Sequence, residues 1–223
     1  MIRDEVKEQQ KKLENKSPKE KFQYFWYYYK VHVFFVLFAI VSISLFVSAA
    51  IKDSKEPSIY VALINSGLSS EDDTTLITEY VTSRNIDIDK HPAKIDFTLH
   101  MSPNSADNAS MASSQKYMSM LSTGKADIIL CDKWIIDEYA ILDAYENLES
   151  YLAPEDLEKI KDDLYYCEVN GKGKIPVAFY ANNVEKVLTD SLYENKECPL
   201  IAICRTSTRK ETAADFIHYL LDN

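Results

Sequence analysis

Glycine is scarce, four residues in 223, at positions 67, 124, 171 and 173. No phosphate-cradling pattern of either the G-x-x-x-x-G-K-S/T or the G-x-G-x-x-G kind exists, and there is no G-x-S-x-G nucleophile elbow. The four histidines (His32, His91, His100, His218) stand apart, with no H-E-x-x-H pair. The four cysteines (Cys131, Cys167, Cys198, Cys204) include no C-x-x-C, so neither a zinc site nor a dithiol redox centre is indicated. Acidic runs such as Glu71-Asp72-Asp73 and Asp162-Asp163 miss the calcium-loop spacing and read as solvated faces or helix starts. These absences predict a non-catalytic chain with no cofactor and no metal. A formal net charge of −10 argues against nucleic acid as a partner.

Against this polar background Val33 to Ile51 is nineteen consecutive uncharged positions. At about 1.5 Å per helical residue such a run covers roughly 28 Å, close to the hydrocarbon thickness of a bilayer. Aromatic residues crowd its leading edge, at Phe22, Tyr24, Phe25, Trp26, Tyr27, Tyr28 and Tyr29, followed by Lys30. Rings with an apolar body and a polar tip favour the headgroup layer. The first 31 residues hold eight basic and five acidic residues, and the rest hold 17 basic and 30 acidic. Lys12, Lys16, Lys19, Lys21 and Lys30 precede the run, and only Lys52 and Lys55 follow it closely. That asymmetry predicts an N-terminus in the cytoplasm and an acidic domain outside the cell membrane. Cleavage as a signal peptide after Val47-Ser48-Ala49 is the alternative, although the preceding charged segment and the apolar run are both long for one.

Four segments follow: a cytoplasmic basic and aromatic tail (1–31), a single-pass signal anchor (32–52), a linker (53–57) and one outer domain (58–223). Within the tail, Ile2 to Lys16 reads as a charged helix. Ser17-x-x-Glu20, with Pro18 next to the cap, reads as a capping box opening a second short helix. In the outer domain the apolar runs 58–64, 93–101, 126–131 and 200–204 read as strands. The segment Asn170-Gly171-Lys172-Gly173 reads as the turn of a hairpin between 165–169 and 174–180. Helices are expected at 71–84, from 105 or 107 to 123, at 133–142, 155–164 and 184–192, and at 210–221. This alternation predicts a mostly parallel, three-layer α/β sheet with a hairpin appended.

Cys131 and Cys204 fall in predicted buried strands, where a thiol behaves as a small hydrophobe. Cys167 and Cys198 lie in more polar stretches and form the candidate disulfide for an oxidising compartment.

The segments Gly124 to Asp132 (GKADIILCD), Leu148 to Leu152 (LESYL), Asn170 to Val177 (NGKGKIPV) and Leu200 to Leu221, with its TRKETAADFI helix, resemble parts of type 2 extracellular solute-binding proteins of bacterial transporters. The resemblance covers about half of the outer domain and implies a fold like one lobe of such a protein. The long second-lobe segment expected between 181 and 199 is missing.

In open α/β sheets ligands bind beyond the carboxyl ends of parallel strands. The expected ligand-binding residues are therefore Asn65, Ser66, Ser102, Asn104, Asp132 and Trp134, a set of hydroxyl, amide and carboxylate groups beside one large aromatic. A blander use of the same residues is to cap strand-to-helix loops. The resulting expectation is a membrane-anchored binding or accessory module that meets the lipid bilayer and either a small polar solute or another membrane protein. The alternatives are a degenerate scaffold docked on such a protein and an outer enzyme of unrecognised type.

Overall fold

A computed structural model describes residues 17–70, 75–103, 107–188, 192–193 and 198–222. The expected helix at 2–16, the acidic run 71–73 and Asn104 lie outside the described residues. The chain separates into two compact units, Met1–Lys55 and Glu56–Asn223.

The first unit is one helix, α1 (Pro18–Ser54). Ser17 and Glu20 form the expected capping box: Ser17 N donates to Glu20 Oε2 at 2.9 Å and Glu20 N to Ser17 Oγ at 3.4 Å. The helix it opens is not short. It runs unbroken for 37 residues through the whole apolar stretch, because no proline or glycine interrupts 19–54. Tyr29–Ser48 within it is long and apolar enough to cross a membrane, and none of it is buried. A signal sequence satisfies the same criterion of length and composition.

The second unit is a mixed α/β domain around one six-stranded sheet of order β2-β1-β3-β6-β5-β4. The strands are β1 (Tyr60–Ile64), β2 (Lys94–Leu99), β3 (Ile128–Cys131), β4 (Leu164–Val169), β5 (Gly173–Tyr180) and β6 (Leu200–Ile203). Between them lie α2 (Leu76–Ser83), α3 (Asn108–Thr123), α4 (Lys133–Ala140), α5 (Pro154–Ile160), α6 (Glu185–Leu188) and α7 (Lys210–Leu221). A one-turn 3-10 helix, Leu148–Ser150, precedes α5.

β1 is apolar throughout and divides its side chains between two cores. Ile59, Val61 and Leu63 pack with Leu76 and Tyr80 of α2 and with Phe216 and Leu220 of α7. Tyr60, Ala62 and Ile64 pack with Tyr117 and Met120 of α3 and with Ile135 and Ile136 of α4. Helices therefore cover both faces, and the sheet is the middle of three layers.

The sheet is less parallel than expected. β1 pairs in parallel with β2 and β3, whereas β6 is antiparallel to both β3 and β5, and β4 is antiparallel to β5. Parallel neighbours require a crossover over the sheet face. After β5 the described chain makes only the four-residue α6 and re-enters beside β5 in the opposite direction.

The GKAD segment acquires a structural reason. Gly124 ends α3 with φ 66°, and a Cβ there would stand 2.3 Å from Thr206 O, so no other residue fits unchanged. Asp127, fully buried, accepts from Tyr60 N (2.8 Å), Ser207 Oγ (2.5 Å) and Arg209 Nε (2.9 Å). Arg209 also donates to Lys125 O at 3.0 Å, and Thr206 Oγ1 donates to Leu121 O. Burial pushes the Asp127 carboxyl up, against the opposing pull of Ser207 and Arg209. The two quoted segments, 124–127 and 206–209, are thus two halves of one clasp that fixes the leading ends of β1 and β3.

Replacing Arg209 by Met should leave the buried Asp127 without its counter-charge. The expected loss is about 3 kcal/mol, read as a lowered urea midpoint at unchanged slope. An unchanged midpoint would show that Ser207 and Tyr60 N suffice.

Candidate functional site

The parallel strands define where a ligand site would lie. The connection from β1 to β2 passes through α2 on one face, and that from β2 to β3 passes through α3 on the other. The strand order thus reverses between β1 and β3, and the crevice beyond their carboxyl ends is the expected position.

Asn65 stands there with φ 59°. Its Nδ2 donates to Met101 O (2.9 Å) and to Asp132 Oδ2 (2.6 Å), and its Oδ1 accepts from Met101 N (2.7 Å). One side chain therefore ties the ends of β1 and β2 to the start of α4. Asp132 is the N-cap residue of α4 but makes no side-chain cap, because its carboxylate is turned to Asn65. Ser66 is buried at 4% exposure, and its Oγ has no hydrogen-bond partner among the described residues. Ser102 N donates to Ser110 Oγ at 3.1 Å.

The structure brings Asn65 and Asp132 into contact and sets Ser102 and Trp134 apart from them. The latter pair lines a shallow groove of about 300 Å³ with Met101, Pro103, Met111 and Glu138.

The crevice itself is filled by Tyr193, which sequence reasoning did not single out. Its hydroxyl lies 3.0 Å from Ile64 O and 2.8 Å from Leu130 O, sharing one proton between the last carbonyl of β1 and the next-to-last of β3. Gly67 N donates to Leu192 O at 2.8 Å beside it. Burial raises the Tyr193 phenol well above its ordinary value, so it stays a donor. The only signal in the sequence is an apolar-aromatic pair, Leu192-Tyr193, in an otherwise polar stretch.

The same row of the sheet, through Cys131, Leu200 and Tyr180, leads to a larger cleft of about 470 Å³ at the end of β5. Lys159, Asp163, Tyr180, Asn183, Val184 and Asp222 line it. Asp163 accepts from Asn182 Nδ2 (2.7 Å) and Asn183 Nδ2 (3.0 Å). At its rim His218 is bracketed by carboxylates. Nδ1 is 3.0 Å from both oxygens of the buried Asp156, and Nε2 is 3.2 Å from Asp222 Oδ2.

An imidazole facing acids on both nitrogens must donate from both. The hydrogen bond to Asp156 leads the effects that raise the His218 pKa. Glu155, Asp156 and His218 have ligand atoms within 4.8 Å of one another, the spacing of a cation site. Lys159 Nζ already supplies charge there, at 2.8 Å from Asp222 and 3.5 Å from Asp156.

Cys167 and Cys198 are not joined. All four cysteines are free thiols. Cys167 belongs to the core under α3 and α4, whereas Cys198 packs against the core on the opposite face, so the sheet stands between them. Cys167 Sγ lies 3.8 Å from Asp137 Oδ1, and burial together with that carboxylate pushes its pKa up to about 11. Burial raises Cys131, Cys198 and Cys204 as well, which keeps these thiols protonated and poor nucleophiles. Asp137 also accepts from Tyr165 Oη (2.5 Å) and Lys133 Nζ (2.6 Å), with the lysine 5.0 Å from the Tyr165 ring centre.

No protein-family profile, curated protein or solved structure matches this chain.

Tyr193→Phe should leave two buried carbonyls without their donor while keeping the ring in place. A loss of about 1–3 kcal/mol in urea unfolding is expected, and no change would mean that water replaces the hydroxyl. His218 gives a pH signature. Its pKa is raised on folding, so its contribution is fully present below about 6.5, the unfolded value, and disappears as pH rises through the folded pKa. The stability difference between wild type and His218→Gln should therefore shrink as pH is raised from mildly acidic to alkaline. A difference that is constant or grows with pH would contradict the bracketed imidazolium.

Proposed function

We propose that this chain is a single-pass, membrane-anchored accessory module. Its basic tail lies in the cytoplasm, its α/β domain lies outside, and it acts by holding a partner rather than by catalysis. The observation that carries the anchor is Tyr29–Ser48, a twenty-residue apolar helix with no buried residue. Such a surface in water would be far larger than the apolar patches soluble monomers expose. The lysine asymmetry across it supports the orientation.

For the outer domain, the filled crevice favours docking over solute capture. The resemblance to one lobe of a solute-binding protein implies a fold related to a ligand trap. Here the position a ligand would take holds Tyr193, and the Asn65 amide already bonds Met101 and Asp132. A polar solute remains the second reading, at the groove containing Ser102 and Trp134.

Protease added to intact cells should remove the C-terminal domain and spare a tag at Met1. A protected C-terminus, or release of the protein by carbonate washing, would overturn the topology. In a thermal-shift screen no small polar solute is expected to raise the melting point. A solute that stabilises wild type but not Trp134→Ala would restore the trap reading.

A further inference from the structure

The segment 18–28 leads into the span without a break, and seven of the eight residues from Phe22 to Tyr29 are aromatic. Three arrangements compete for such a segment: a helix lying flat in the interface, a helix docked in a protein groove, or a collar standing through the headgroup layer.

Lying flat requires a bend where the span begins and a single apolar face. Neither is present. The capping box at Ser17 starts one continuous helix, and at about 100° per residue the aromatic positions fall at every azimuth. Docking in a groove uses one stripe of anchors and leaves the remaining rings in water. Phe22, Trp26 and Tyr29 share a stripe, with Phe22 and Trp26 stacked at 6.2 Å between ring centres. Tyr27 points elsewhere and is the most exposed of them, at 72%.

Only a medium that surrounds the helix accommodates rings on all sides. The headgroup layer is such a medium. From Phe22 to Tyr29 the axis advances roughly 10 Å, against roughly 5–8 Å for one interfacial layer. Lys19 and Lys30 flank the collar, and the phosphates of that layer complement their charge. The other end of the span ends in Ser48, Ala49 and Ala50, with no aromatic residue, so depth is set from one side.

We infer that residues 22–29 form an aromatic collar that seats in the headgroup layer of the cytoplasmic leaflet and fixes the depth of the helix. This rests on the anchor proposed above and adds a register to it. Trp26, three residues before the span, stands about 4.5 Å outside the hydrocarbon edge.

The chain has two tryptophans, so Trp134→Phe makes Trp26 the only one. The full-length variant, reconstituted in phosphatidylcholine–phosphatidylglycerol vesicles, is quenched in turn with lipids brominated near the headgroup and lipids brominated near the chain ends. Quenching by the shallow bromines is expected to exceed that by the deep ones by about twofold. A companion chain with Trp26→Phe, Trp134→Phe and Phe38→Trp should reverse the order.

Shallow quenching at 26 with deep quenching at 38 supports the collar. Equal or deeper quenching at 26, or quenching only by aqueous iodide, overturns the collar while leaving the anchor intact. If neither tryptophan is quenched by any brominated lipid, or the protein fails to float with the vesicles, the anchor itself is wrong.

Discussion

Both units of this protein are governed by one constraint: a backbone group that loses water must find another partner. β1 and β3 are covered on both faces, so their ends have no solvent to fall back on. At the leading ends Asp127 takes the Tyr60 amide and holds Ser207 and Arg209 around it. At the trailing ends the Tyr193 hydroxyl serves Ile64 O and Leu130 O together. The two devices lie at opposite ends of the strands and differ in chemistry: the carboxylate takes one β1 amide and gathers two side chains, whereas the hydroxyl bonds one carbonyl from each strand. The apolar helix answers the same constraint within itself, through the bonding of one unbroken helix.

The constraint also accounts for what the quoted segments do. Within 124–132 and 200–221 the structure gives the quoted residues architectural uses. Gly124 must be glycine because of Thr206 O, Asp127 needs Arg209, and Leu200 to Ile203 is a fully buried strand. Such residues are requirements of the sheet's interior strands and their ends, and carry no ligand specificity. A likeness built on them speaks to fold before function.

Strands and helices were legible because their signals are local. The apolar run 60–64, the Asp107 cap and the Gly124 stop each act within a few residues of themselves. The sense of β6 was not legible. Parallel or antiparallel entry depends on which end of the sheet the chain reaches after β5, and nothing within 200–204 records that. The candidate site was half legible for the same reason. Asn65 and Asp132 were correctly placed at strand ends, but their mutual bond joins positions 67 residues apart. Tyr193 was invisible, since a tyrosine in a polar stretch looks the same whether it faces solvent or seals a crevice. The opposed positions of Cys167 and Cys198 were hidden as well, since Cys198 precedes β6 outside any strand and no alternation assigns it a face.

For the docking role proposed above, charge narrows where on the surface of the domain a partner is easiest to seat. The α/β domain is strongly acidic, so most faces repel a second acidic body. α3 is the exception. Its sixteen residues include one charge, Lys116, and that lysine is held by Asp96 at 2.6 Å. Met111 and Met118 stand exposed on it, two turns apart. Beside them lies the groove lined by Pro103 and Trp134. Methionine adapts its shape to what it meets, and an uncharged face costs little to desolvate. A domain whose crevice is closed by its own tyrosine therefore still presents one face with a low barrier to contact, on the opposite side of the sheet from the α5–α7 layer that carries the His218 network.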